Sequence, residues 1–196
     1  MTLQKLNTRN IVLALIVILM AIFRLLTFKY QSWSNFTPVG AVAIFSGVYF
    51  TDKWKAYAII LLTFVVSDVI INHAYTGVWS FWSAYTFWNC VCFSIIVFIG
   101  SVIKKINFAS ALLIILAPVM IHWLIMDLPW VNGTLYLYPK TLAGYGAALV
   151  AAIPFERNML FGDLLFGAVL FGGFELAKTK YSSLRSTGKL AMLKKN

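Results

Sequence analysis

Four stretches of this chain are apolar enough to cross a bilayer, and each carries an ionisable group. Arg24 lies in IVLALIVILMAIFRLLTF, Asp68 in AYAIILLTFVVSDVIIN, His122 in LLIILAPVMIHWLIMDL and Asp163 in MLFGDLLFGAVLFGGF. Length and apolarity make each stretch a membrane span, since a crossing needs about 20 residues. An ionisable group at mid-span costs about 2.5–3.5 kcal/mol on insertion scales, so four of them require a partner, a water-filled cavity or a ligand. Of the 196 residues, 61% are hydrophobic and 11% charged, against about a quarter charged in a soluble domain. The chain reads as an all-α, polytopic membrane protein in the lipid bilayer, with no room for a large water-soluble domain.

Apolar segments fall at about 10–28, 38–51, 56–73, 80–103, 108–128 and 159–177. Pro38 favours a helix start for the second, with Thr37 available as its cap. A shorter Gly/Ala-rich stretch, TLAGYGAALVAAIPF, occupies 141–155. The positive-inside rule decides whether it crosses. With the N-terminus in the cytoplasm, six spans place 12 of the 16 Lys and Arg residues inside. Lys29, Lys140 and Arg157 then lie outside, and Arg24 lies in the membrane. A seventh crossing would export the most basic segment of the chain. The expectation is therefore six transmembrane helices plus a short outer or re-entrant helix at about 141–155. Residues 1–180 form a single bundle and 181–196 a basic cytoplasmic tail, with both termini cytoplasmic. Tyr30, Trp33, Trp79, Trp82, Trp130, Tyr136 and Tyr138 mark the outer interface, and Trp54, Tyr57 and Tyr181 the inner.

The net charge of +10 is ordinary topology and lipid-headgroup chemistry rather than a nucleic-acid footprint. Cys90 and Cys92 are two apart on a helix and point in different directions, which argues against a local disulfide or metal pair and for small packing residues.

This topology gives each intramembrane polar group a depth. Arg24, Asp68 and His122 fall toward the outer ends of spans 1, 3 and 5. Asp163 is about one turn into span 6, Asn89 lies in the outer half of span 4, and Asn35 leads into span 2. The inner half is nearly all aliphatic, aromatic or glycine. Arg24, Asn35, Asp68, Asn89, His122 and Asp163 are thus the candidate substrate-binding residues of an outward-facing pocket. The plainer alternative is that Arg24 pairs with Asp68 or Asp163 only to fix helix packing. For each residue alone the two readings weigh equally, whereas the shared depth of the set favours a pocket. Ala43 and Gly47, at small-xxx-small spacing, read as internal packing, the alternative being a docking face for another membrane subunit.

NFTPVGAVAIFSGVYF, the Ser67-Asp68 pair and FGDLLFGAVLFG resemble a family of small, functionally uncharacterised bacterial integral membrane proteins. With its six-span layout and an N-x-x-P lead into span 2 (Asn35, Pro38), that family is similar to the S components of energy-coupling-factor (ECF) vitamin transporters. The resemblance implies a bacterial inner-membrane protein that binds a vitamin or related micronutrient, with a membrane coupling subunit and two ATPases as partners. Span 1 departs from the S-component pattern: no alanine-rich docking stripe is evident, Ala14 and Ala21 being seven apart with Ile18 between.

The leading expectation is a non-enzymatic subunit that captures a small-molecule micronutrient for uptake, without cofactor or metal. No GxxxxGK[ST] run is present. An accessory or assembly subunit of a membrane complex is a second class. A haem-binding protein or intramembrane enzyme is a third, with His73 and His122 as ligands or His122, Asp68 and Asp163 as acid–base groups, against which no HExxH, GxSxG or CxxCH occurs.

Overall fold

A computed structural model describes residues 8–27, 30, 35–131 and 137–185, and among these every regular element is helical. The order is α1 (Thr8–Thr27), α2 (Val39–Tyr49), α3 (Lys53–Thr76), α4 (Ala84–Val102), α5 (Phe108–Met126) and α6 (Leu142–Lys180), closed by a 3₁₀ turn at Ser182–Leu184. Five helices, all but α2, are long and apolar enough to span a membrane. Ser83 caps α4 by accepting from Thr86 N–H, and Asn107 with Ser110 forms a capping box at the start of α5.

α2 departs from the expected second span. Its 11 residues rise about 16 Å, roughly half the hydrocarbon thickness, so it cannot cross alone. It lies instead at the centre of the bundle, with Ala41, Ala43, Ile44 and Phe45 at most 1% exposed. Such a helix has no water to satisfy its terminal backbone groups, so other elements must do it. Thr37 does not supply the cap: the N-cap position is Pro38, with no side-chain bond. Asp163 of α6 does so from across the bundle, accepting from Ala41 N–H at 2.7 Å. At the other end Lys53 Nζ donates to Gly47 O at 2.6 Å and Phe50 O at 2.9 Å, and the Arg9 guanidinium donates to Tyr49 O. A carboxylate at the N-terminus and cations at the C-terminus match the helix dipole.

The stretches 141–155 and 159–177 are not separate. They form one 39-residue helix, α6, with Pro154 inside it, which corrects the expected short outer or re-entrant helix. Glu156-Arg157-Asn158 contains no helix breaker, and a proline is tolerated where neighbouring helices hold the chain. At about 1.5 Å per residue α6 runs about 58 Å, well beyond a perpendicular crossing of about 30 Å. Its N-terminal part packs on α5 through Trp123 Nε1–H to Leu149 O at 3.0 Å and Tyr145 O–H to Leu124 O at 2.7 Å.

Contacts fix which helix ends share a side. Arg9 reaches the end of α2 and Leu184 O, and the Tyr49 hydroxyl donates to Glu175 near the end of α6. A Cβ on Gly47 would sit 2.9 Å from Gly100 Cα of α4. Arg9, Lys53, Lys55, Lys178, Lys180 and Arg185 thereby gather toward one end of the bundle. Ala43 and Gly47 are buried against neighbouring helices, so their small size serves internal packing. Within the expected tail, Leu184 is buried, and Arg185 donates to Lys178 O and Thr179 O. The remainder of the expected tail lies outside the described residues, as do Trp33 and Tyr136 of the expected aromatic belt. Tyr30, Trp54, Trp79, Trp82, Trp130 and Tyr181 are exposed.

Candidate ligand pocket

Helix register sets the depth of the polar layer. Arg24 is fifteen residues past Arg9 on α1, and Asp68 fifteen past Lys53 on α3. His122 is fourteen past Phe108 on α5, and Thr86 fourteen before Gly100 on α4. Each displacement amounts to about 21–23 Å along its helix, so four helices bring polar side chains to a common level far from the basic end.

At that level lies a small, half-open cavity of about 60 Å³, lined by Arg24, Asn35, Thr37, Val39, Phe64, Tyr85, Asn89, Phe93, His122 and Met159. Four of the six residues singled out in the sequence therefore meet in one space: Arg24, Asn35, Asn89 and His122. Asn35 reaches it because its backbone takes φ 63°, a left-handed conformation that asparagine tolerates better than most residues. Thr37 N–H closes the turn onto Asn35 O at 2.9 Å. That lead-in rests on α6 at Gly162, where a Cβ would stand 3.0 Å from Thr37 O. A narrower apolar crevice of about 20 Å³ runs on from the cavity between α1, α2 and α3, sharing Arg24, Val39 and Phe64 as walls.

The other two candidates, Asp68 and Asp163, do not line the cavity. Asp68 stands behind Arg24, its carboxylate accepting from Arg24 Nη2 at 3.1 Å, Asn72 Nδ2 at 3.1 Å and Thr86 Oγ1 at 2.8 Å. Arg24 Nη1 also donates to Ser67 Oγ at 2.6 Å, and the guanidinium lies over the Phe64 ring, 4.7 Å from its centroid. Asp68 therefore orients Arg24. Asp163, 2% exposed, is the N-terminal cap of α2. Gly40 makes this possible, because a Cβ there would collide with Asp163 and stand 2.8 Å from Pro118 Cβ.

One functional candidate escaped the sequence reading. Glu156, 5% exposed, meets His122 Nδ1 at 3.1 Å, and its Oε2 is buried with no hydrogen-bond partner. Splitting α6 at 155–159 had placed Glu156 at a helix boundary, where a carboxylate needs no explanation. Its signal was present as a carboxylate one turn before the apolar run that follows Met159. Tyr85 and Thr86 were equally silent, since Tyr and Thr at a span end read as interface residues. The two histidines differ: His73 stacks on Trp79 with ring centroids 3.8 Å apart, whereas His122 faces the cavity. Among the described residues no cluster of three or more metal-ligating side chains occurs, and both cysteines are unbridged.

A family model, DUF6580, described as a family of unknown function, matches residues 4–184. The match assigns no substrate, partner or reaction. No curated protein and no solved structure matches the chain.

Proposed function

We propose that this chain, which belongs to the DUF6580 family of unknown function, is a membrane-embedded substrate-capture subunit for uptake of a small, partly polar micronutrient. In this reading it resembles the S components of ECF transporters, performs no chemistry itself and relies on a membrane coupling subunit with ATPases. The observation that carries the proposal is the cavity itself. α1, the lead-in to α2, α4 and α5 converge Arg24, Asn35, Asn89 and His122 on one space whose other walls include Val39, Phe64, Phe93 and Met159. A few oriented polar groups in an otherwise apolar concavity are what a small-molecule site requires. The concentration of basic residues at the opposite end supports cytoplasmic termini in a bacterial inner membrane and a cavity facing out.

The test is a thermal-shift and calorimetric screen of vitamins and related micronutrients against the purified chain in detergent. A ligand should raise the unfolding temperature, and Asn89→Leu should weaken it at least tenfold while leaving the unliganded melting temperature near wild type. A full screen without a binder, or a binder indifferent to Asn89→Leu, refutes the reading.

A second reading has its own observation. Asp68 is saturated by three donors and Asp163 is committed to α2, so these buried charges serve the fold. This favours an accessory subunit locked by polar pairs. Co-purification of a fixed membrane partner, with no ligand for the cavity, would select it.

A further inference from the structure

The polar layer holds more carboxyl groups than cationic side chains. Among the described residues it holds three buried carboxylates, Asp68, Asp163 and Glu156, each at most 5% exposed, against the guanidinium of Arg24 and the imidazole of His122. Arg24 is matched by Asp68 at 3.1 Å. Asp163 receives one backbone N–H and has a buried oxygen without a partner. Glu156 meets His122 alone and also keeps a partnerless buried oxygen. The other titratable groups around Glu156 are Asp127 at the end of α5, Tyr85 and Cys92 on α4, and the adjacent Arg157, whose side chain is exposed. Of these, Arg157 is the cation, and it is exposed. Buried carboxyl oxygens without a partner are costly, and positive charge brought to the layer would offset that cost.

His122 lies between Glu156 and the cavity. A carboxylate can only accept, so the 3.1 Å contact with Glu156 puts a proton on Nδ1, and in the neutral ring Nε2 is then the acceptor. The ring lines the cavity. Met159, one turn along α6 from Glu156, lines it too, so Glu156 stands directly behind the wall. We propose that the cavity takes a ligand with a cationic, hydrogen-bond-donating head, a protonated amine or ring N–H⁺. Its proton is accepted by His122 Nε2, and Glu156 holds that tautomer and supplies the charge. Glu156 is thus a positioning residue. Phe64 and Phe93, with ring centroids 4.8 Å apart, offer the apolar body of such a ligand its wall. This inference rests on the capture reading above and names its substrate class.

The experiment uses three probes of one shape and different charge: benzylamine, benzyl alcohol and benzoate. Each is titrated at pH 7 against the full chain in nanodiscs of uncharged lipid, with Asn89→Leu subtracting binding outside the cavity. Benzylamine should bind at least tenfold more tightly than benzyl alcohol, and benzoate least. Glu156→Gln should collapse the amine-to-alcohol ratio to within about threefold of unity, a change that loss of packing alone would not cause. ¹⁵N spectra of the histidine ring should show the Nδ1–H tautomer of His122 in the wild type and its loss in Glu156→Gln. Equal or tighter binding of benzoate in the wild type overturns the proposal without recourse to any variant, as does an unchanged ratio in Glu156→Gln. Benzyl alcohol or benzoate binding preferentially, and sensitive to Asn89→Leu, would leave the capture reading standing and remove the cationic one. Absence of binding by all three counts against both.

Discussion

Removing the Asp163 carboxylate separates its role as the cap of α2 from a role in a ligand site. Its Oδ1 accepts from Ala41 N–H at 2.7 Å, with the residue 2% exposed. In Asp163→Ala that N–H has no acceptor and no water to replace it. Loss of an N-cap costs about 1 kcal/mol, within a range of about 0.5–2, and an orphaned buried donor costs about 1–3. The terms describe one contact and overlap, while relief from burying a carboxylate offsets part of them, so the net is about 1–3 kcal/mol. For a chain of this length, where 1 kcal/mol moves the melting temperature by about 2–4 °C, the drop is about 2–12 °C. Asp163→Asn retains an oxygen in the same place and removes the charge, so it should stay within about 1 kcal/mol of wild type. The assay is thermal unfolding by circular dichroism in one detergent, with ligand titration of the folded fraction. An alanine variant that melts with the wild type refutes the capping argument. So does an asparagine variant that keeps its melting temperature but loses the ligand, since Asp163 would then belong to the site.

Three further perturbations probe the same architecture. Asp68→Ala leaves the part-buried Arg24 without its ion-pair partner and should cost about 3–5 kcal/mol, whereas Arg24→Met with Asp68→Leu should cost much less. Thermal unfolding of the two variants checks this, and equal losses would deny the pairing its weight. Gly47→Leu should destabilise by at least about 1–3 kcal/mol through overpacking, because even a Cβ there meets Val97 O and stands 2.9 Å from Gly100 Cα; a chemical denaturation midpoint unchanged from wild type would contradict the close α2–α4 approach. Arg9→Gln removes the donor to Leu184 O at 3.2 Å and to Tyr49 O, so limited proteolysis should cut after residue 181 at least fivefold faster, and an unaltered rate would show that Arg9 does not hold the C-terminal turn.

The amino-acid sequence by itself determined the class of solvent and the helical class of fold. Runs such as IVLALIVILMAIFRLLTF can satisfy their backbone in hydrocarbon only as helices, and no tertiary information is needed for that. The 3.6-residue repeat then converts sequence position into depth, which is why Arg24, Asn89 and His122 were legible as one layer before any contact was known. What depth does not contain is the angle around each helix axis and the identity of the facing neighbour. Those follow from how six helices pack, and they alone decided that Asp68 backs Arg24 while Asp163 caps α2. They also decided that α2, too short to cross, sits in the middle of the bundle. Continuity across 155–159 was likewise a tertiary matter, because Pro154 breaks a helix in water yet is carried where α5 supports both sides of it. With that continuity came Glu156, a boundary residue in sequence and, in the folded chain, the buried partner of His122.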